Sequence, residues 1–423
     1  MANVAILGYG VVGSGVAEVI RRNAQAIKSR SGADINLLKI LDIRDFPESP
    51  DRGLFTKNAD EIFENEKIDI VVETIGGTGA AYEFVKRALK KGKHVVTSNK
   101  ELVSSFGPQL LEMAEKMHVN FLFEACVGGG IPIIRPLNQC LAANEIAGIS
   151  GILNGTTNYI LTRMRREGTD FNVALKDAQL KGYAEADPTN DIDGYDTARK
   201  IAILSSIAYN EFVDAKKIHI EGIRGISHED MQYADKMDCV IKLIGLSKKV
   251  EDKILAMVSP FLVSKSNPLA SVENEFNAIM VKGNAVDELM FYGKGAGKMP
   301  TASAVTADII EIARNEKRNG KKVWHVGDND ILLKPDDVEL KFFVRLEVSD
   351  KLEAMNLASR IIGNISEVSL GDSEVKNEIA FITPVKKEKQ FKVEIEKLAK
   401  NKAVKSVISK IRFLNGSLNL NGQ

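Results

Sequence analysis

Through its first hundred residues the chain alternates short apolar runs with longer stretches in which apolar residues recur every three or four positions. The runs are Asn3 to Leu7, Ile35 to Leu41, Ile68 to Val72 and His94 to Thr97, and the helical stretches are Val11 to about Arg30 and Ala80 to Lys91. Such alternation predicts an α/β fold, βαβ units wound on a parallel sheet. Gly92 stands where a helix ending at Lys91 needs its terminal glycine.

From about Ile133 to Pro300 the pattern loosens. Strand candidates Ile146 to Ile152 and Asn277 to Lys282 mix with helices Asn172 to Leu180 and Thr197 to Tyr209, which predicts a second, α+β domain. Asp328 to Leu340 carries five acidic residues and Pro335 and reads as an exposed linker. A βαββαβ set follows: strand Glu339 to Val348, helix Leu352 to Ile362, strands Ser366 to Leu370 and Ile379 to Thr383, helix Glu388 to Ala399, strand Val404 to Phe413. At about 100 to 200 residues per domain the 423 residues allow two to four domains, and the pattern points to three.

Charge matters here through its distribution. Lys and Arg total 57 against 57 Asp and Glu, so no global field attracts a polyanion, and nucleic acid is excluded as a main partner. Between Lys376 and Arg412, however, eleven basic residues face four acidic ones, which makes the last module basic. No run approaches the roughly 18 apolar residues of a membrane span, so a membrane partner is not expected. The start, MANVAILGYG, lacks the features of a signal peptide and predicts a cytoplasmic protein. Three scattered cysteines, Cys126, Cys140 and Cys239, read as buried free thiols.

Gly8-Tyr9-Gly10-Val11-Val12-Gly13 fits G-x-G-x-x-G, directly after the strand Asn3 to Leu7 and at the opening of a helix. In that setting Gly8 permits a tight turn, Gly10 lets the backbone approach a pyrophosphate at the helix N-terminus, and Gly13 lets helix pack on strand. The context predicts a Rossmann-type, doubly wound dinucleotide-binding domain, with Val11 and Val12 on the same turn. After the second strand come both Asp42, the residue type that takes a ribose 2′-hydroxyl of NAD, and Arg44, the type that takes the 2′-phosphate of NADP. Asp42 lies farther past Gly13 than the usual 20 or so residues, and Arg44 tilts the expectation towards NADP.

A series of further segments is similar to the signatures of homoserine dehydrogenases, in that family's order. They are Ile68-Asp-Ile-Val-Val-Glu-Thr-Ile-Gly-Gly77, His94-Val-Val-Thr-Ser-Asn-Lys-Glu-Leu102, Glu124-Ala-Cys-Val-Gly-Gly-Gly-Ile-Pro132, Gly151-Ile-Leu-Asn-Gly-Thr-Thr-Asn-Tyr159, Gly182-Tyr-Ala-Glu-Ala-Asp-Pro188, Asp196-Thr-Ala-Arg-Lys200, and Tyr292-Gly-Lys-Gly-Ala-Gly297 with Pro300-Thr-Ala302. The resemblance spans roughly residues 1 to 320. It implies reversible NAD(P)H-dependent reduction of L-aspartate 4-semialdehyde to L-homoserine, on the branch towards threonine, methionine and isoleucine. It also implies a homodimer or homotetramer, and with the element pattern it places domains at 1–134 with about 301–322 (Rossmann) and 135–300 (substrate binding and dimerisation), the βαββαβ module making a third at 336–423.

Reducing an aldehyde requires a hydride at carbon and a proton at the developing alkoxide, and a lysine ammonium supplies proton and positive charge together. Lys100 follows the strand His94 to Thr97 at its carboxyl end, where open α/β sheets bind ligands, behind the polar residues Thr97, Ser98 and Asn99. Asp196 and Lys200 stand at i,i+4, which by spacing alone is a surface ion pair of about 0.3 to 0.5 kcal/mol. The resemblance implies instead that Lys200 donates the proton with Asp196 orienting it, beside Lys100. By the same resemblance Glu185, Asp191, Gly155 and Thr156 meet the substrate, and Thr97, Ser98 and Gly297 lie near the cofactor. A sodium ion at Glu124 and the carbonyls of Val127, Gly129 and Ile131 is also implied. The last module resembles an ACT domain, a type that binds amino-acid effectors such as threonine, with Asp350-Lys-Leu-Glu353 where such domains carry a glycine after the aspartate.

Overall fold

The computed structural model describes residues 2–314, 323–327, 331–371 and 375–414. They group into two compact units, 1–143 with 202–216 and 291–330, and 144–201 with 217–290 and 331–423.

In the first unit six parallel strands form one sheet: β1 (Ala2–Leu7), β2 (Ile35–Leu41), β3 (Phe55–Thr56), β4 (Ile70–Glu73), β5 (His94–Thr97) and β6 (Phe121–Leu122). Their order is β3-β2-β1-β4-β5-β6, the doubly wound arrangement in which ligands bind beyond the strands' carboxyl ends, where the order reverses at β1 and β4. The long helical stretch after β1 divides at Asn23 into helices Val11–Arg22 and Ala24–Ser31, the second closed by Gly32 at φ +70°. Valines and isoleucines of β1 and β4 pack with Val16, Ala17 and Ile20 of the first helix and with Ala302, Val305, Ile309 and Ile312. Those last four lie on the helix Lys298–Arg314, which thus fills the core of this unit from far along the chain. Of the segment 301–322 expected here, residues 315–322 lie outside the described residues.

The second unit carries most of a ten-stranded mixed sheet. Its strands are β7 (Ile146–Ile152), β8 (His219–Ile220), β9 (Cys239–Val250), β10 (Lys253–Ser264), β11 (Phe276–Gly283), β12 (Asp287–Lys294), then β14 (Phe342–Val348), β15 (Ser366–Glu367), β16 (Glu378–Ile382) and β18 (Val404–Leu414), while β13 (Glu339–Leu340) pairs with β17 (Lys386–Lys387) apart. The order is β12-β11-β7-β9-β10-β18-β14-β16-β15, with β8 beside β10.

The last βαββαβ set therefore does not stand off on a linker. Its final strand β18 pairs in parallel with β10 through Phe261 to Arg412 and Val263 to Leu414, and the two regions share one core. Ile331 and Leu333 bond to Ile254, and Val338 and Leu340 are buried, so this part of the acidic stretch is fixed in place; Asp328 to Asp330 lie outside the described residues. The expected strand from Glu339 to Val348 is two strands with different partners, β13 on β17 and β14 between β16 and β18. Two buried arginines reinforce the join. Arg345 bonds Glu378 at 2.7 Å and Asp230 at 2.8 Å, and Arg412 bonds Glu388 at 2.6 Å and Glu221 at 2.6 Å.

Candidate active site

Gly8 leaves β1 at φ +92°, with Thr74 Oγ1 donating to its carbonyl at 2.8 Å. A Cβ on Gly13 would stand 1.9 Å from Gly8 O, so the helix meets the strand end at a distance only glycine allows. Gly10 caps the helix Val11–Arg22 and faces open space, and Val11 is exposed, so the amides of this helix N-terminus are presented outward as a pyrophosphate requires.

Beside this turn Asp42 accepts from Tyr9 N at 2.7 Å and from Arg44 N and Nε at 3.0 Å each. The Arg44 guanidinium holds the Asp42 carboxyl well below the usual carboxylate range. Arg44 itself stays largely exposed, over the ring of Phe46 at 5.1 Å.

At the ends of β4 and β5 a carboxylate unforeseen from the sequence organises the turn. Glu73, fully buried, accepts from Ile75 N at 2.8 Å, Gly76 N at 3.1 Å and Thr97 Oγ1 at 2.6 Å. Thr97 Oγ1 in turn accepts from Asn99 N at 2.9 Å, and Ser98 N donates to Glu73 O at 3.4 Å. Asn99 caps the helix Lys100–Lys116, so Lys100 is its first residue, just beyond the sheet's carboxyl edge.

Glu124 is buried with its carboxylate already occupied: it accepts from the amides of Ile133 at 2.6 Å, Ile134 at 2.8 Å and Arg135 at 2.7 Å. A cation held at this turn would draw on main-chain oxygens, hard donors that suit sodium. Among the described residues no cluster of His, Cys, Asp and Glu is arranged to hold a metal. The turn Gly128–Gly130 packs closely on 294–296, where a Cβ on Gly129 would reach within 2.3 Å of Gly295 O. Gly297, at φ +119°, then leads into the helix Lys298–Arg314. Burial and the charge on Glu124 push Asp308, on that helix, up to about 7. Cys126 is fully buried, and burial raises its thiol well above the ordinary range, which removes it as a thiolate nucleophile; Cys239 is buried too, whereas Cys140, expected inside, is exposed on the turn after Pro136.

The second unit gathers a different group. Asn154 caps the helix Gly155–Glu167, with its Oδ1 accepting from Thr157 N at 2.9 Å. Lys200, on the helix Tyr195–Tyr209, lies 2.7 Å from Asp196 Oδ2 and 2.7 Å from Leu153 O. The side chains of Lys200 and Asp196 are only 8% and 6% exposed, so the surface pair that spacing alone predicts is instead a buried one, where an ion pair must be fully hydrogen-bonded to persist. Asn154 Nδ2 donates to Asp196 Oδ2 at 3.0 Å and to Asp191 Oδ1 at 2.7 Å. A Cβ on Gly155 would stand 2.6 Å from Glu275 O, and Thr156 Oγ1 donates to Tyr183 O. Asp191, Asp196 and Lys200 are thus brought together, whereas Glu185 and Asp187 are exposed on the loop before them and Asp193 pairs with Arg224.

Sequence reasoning passed over Asn154 and Glu73. Asn154 had a signal, since an asparagine before Gly-Thr-Thr is a helix cap candidate. Glu73 had none, because a lone acid at a strand end is ordinary until its amide partners are seen.

A β3-β2-β1-β4-β5-β6 parallel sheet running through three glycines into a helix N-terminus, in a chain that also buries a lysine–carboxylate group, is the build of an NAD(P)-dependent oxidoreductase. Family models agree: the homoserine dehydrogenase model matches residues 132–310, and that of the homoserine dehydrogenase NAD binding domain matches 8–124. The chain is 37% identical to the homoserine dehydrogenase of Neisseria gonorrhoeae, over 97% of this chain and 98% of that one. A crystal structure of a homoserine dehydrogenase from Thiobacillus denitrificans superposes with a TM-score of 0.90 at 38% identity, covering 97% of this chain and 98% of that one. A hyperthermophilic archaeal homoserine dehydrogenase in complex with NADPH superposes at 0.64 with 30% identity, covering 75% of this chain and 99% of that one. The chain belongs to the homoserine dehydrogenase family.

Proposed function

We propose that this protein catalyses the reversible NAD(P)H-dependent reduction of L-aspartate 4-semialdehyde to L-homoserine, on the branch towards threonine, methionine and isoleucine. The observation that carries the reading is the buried Lys200–Asp196 pair at the start of the Gly155–Glu167 helix. Lys200 gives its proton to the aldehyde oxygen as negative charge develops there, and Asp196 holds the ammonium in place. Lys100 adds positive charge at the sheet's carboxyl edge. Glu185 and Asp191 take the substrate's α-ammonium, and the turn at Gly155 and Thr156 takes its carboxylate. The nicotinamide cofactor, when bound, supplies the hydride. The decisive assay is aldehyde-dependent NADPH oxidation, in which Lys200→Ala should lower kcat by about 10²- to 10⁴-fold. A near-normal kcat removes Lys200 from this role.

The turn Gly8–Gly13 holds the pyrophosphate, with Thr97, Ser98 and Gly297 near the nicotinamide end. NADP is favoured over NAD: Asp42 already accepts from Tyr9 and Arg44, which supports Arg44 as the reader of a 2′-phosphate. Arg44→Ala should lower kcat/KM for NADPH by about 10- to 100-fold and spare NADH, since a charge-assisted hydrogen bond contributes about 1.5 to 3 kcal/mol. Equal losses with both coenzymes refute this preference. A sodium ion on the carbonyls of Val127, Gly129 and Ile131 is structural in this reading.

The last module is ACT-like: its strand order β18-β14-β16-β15 with two helices supports that reading. A cavity of about 260 Å³ there, lined by Lys351, Met355, Glu367, Glu378 and Tyr233 among others, suits an amino-acid effector such as threonine. Calorimetry of the full chain with threonine tests it, and absence of heat leaves the module a dimerisation element of a homodimer or homotetramer. Free cysteines fit a cytoplasmic setting.

A further inference from the structure

We propose that Asn154 is a positioning residue for this reaction, its side-chain amide locking the Asp196–Lys200 pair and Asp191 to the start of the Gly155–Glu167 helix. The inference rests on the reading of Lys200 as proton donor and deepens it.

The orientation of the amide follows from its neighbours. Its oxygen accepts from Thr157 N at 2.9 Å and Thr157 Oγ1 at 3.1 Å, so the opposite end is the NH₂ group. That group has two protons and faces two carboxylates, Asp191 at 2.7 Å and Asp196 at 3.0 Å. The Asp196 oxygen it reaches, Oδ2, is the one 2.7 Å from Lys200 Nζ. Lys200 also donates to Leu153 O at 2.7 Å, one residue back along the chain. Residues 153 and 154 therefore hold both members of the pair, in a place where Asn154, Asp196 and Lys200 are all at least nine-tenths buried. A donor shared between two acids also offsets their mutual repulsion.

A cap alone does not require asparagine. Asp and Ser cap helices about as well as Asn, but neither supplies two donors at this reach. Asn154→Asp keeps shape and cap while adding a third negative charge. Asn154→Ser keeps a cap oxygen and adds no charge, and so serves if the aspartate variant does not fold.

Both folded variants should lose about 10- to 100-fold in kcat, as expected when hydrogen bonds to charged groups are removed, with the KM for coenzyme unchanged. On a Lys200→Ala background Asn154→Ser should cost nothing further, because its effect runs through Lys200, whereas a generally structural asparagine would lower the residual rate again. Lys200→Ala at full rate defeats the underlying reading. An inactive Lys200→Ala beside a folded Asn154→Ser with wild-type kcat, or a further loss in the double variant, overturns the inference about Asn154 alone.

Discussion

Replacing Lys242 with methionine isolates one of the contacts that hold the Gly155–Glu167 helix against the second sheet. Lys242 lies on β9, buried, and its ammonium donates to Asn158 Oδ1 at 2.9 Å and to Val272 O. Asn158 in turn donates to the carbonyls of Val272, Asn274 and Phe276. Burial pushes Lys242 down from 10.5 to about 8, with Glu273 opposing and Arg165 and Arg166 assisting. A depression of that size corresponds to about 3 kcal/mol. Because the folded value lies below the unfolded one, the contribution to stability is fully present above about 10.5 and is lost as pH falls through 8. Between pH 9.5 and 7 the wild type therefore loses about 2 kcal/mol that the methionine variant keeps. At pH 7 two lost hydrogen bonds, each about 1 to 3 kcal/mol, oppose relief of the buried charge, so the two proteins should lie within about 2 kcal/mol. Paired urea unfolding curves at pH 7 and 9.5 provide the measurement. The stability of the wild type minus that of the variant should rise by about 2 kcal/mol from pH 7 to pH 9.5, and a difference that is the same at both refutes the reasoning.

Three other changes probe separate parts of the molecule. Gly13→Ala should weaken NADPH binding by tenfold or more in a fluorescence titration, because its methyl would stand 1.9 Å from Gly8 O; binding within twofold of wild type contradicts the proposed cradle. Arg345→Leu leaves Asp230 and Glu378 buried opposite no cation and should destabilise the second unit by about 3 to 5 kcal/mol in urea unfolding, while a change under about 1 kcal/mol would show that the cluster is dispensable. Gly107→Ala would bring a methyl within 2.3 Å of the Trp324 ring, so about 1 to 3 kcal/mol should be lost together with a shift in intrinsic fluorescence, for which this is the one tryptophan.

Much of the first unit was legible because its strands are uninterrupted apolar runs between glycine turns. Ile35–Leu41 and His94–Thr97 form over the expected residues, and β4 runs from Ile70 to Glu73, two residues later than the apolar run suggests. The long hairpin of β9 and β10 was invisible. Cys239 to Leu246 is buried throughout, and a run with no polar face cannot be told from a buried helix by its period. The break at Lys341 was equally silent, since strand pattern continues through it while the pairing partner changes. At the site, the family resemblance singled out Lys200 and Asp196, while spacing alone gave the wrong environment. Burial of that pair comes from packing of the Tyr195–Tyr209 helix against β9, where Thr197 and Ile201 approach within about 3 Å of a Cβ placed on Gly245, a contact between residues far apart in the chain.

The placement of β18 has a consequence for how the polypeptide is made. Of the ten strands in the second sheet it emerges from the ribosome after all the others, yet it belongs in the interior, between β10 and β14. Until it arrives, both neighbours keep a row of unpaired amides and carbonyls, and each row is a template for another copy of the chain. Nascent molecules on one message are therefore safest when held apart, and a premature stop between Val348 and Val404 yields a product with two adhesive edges in place of a shorter enzyme.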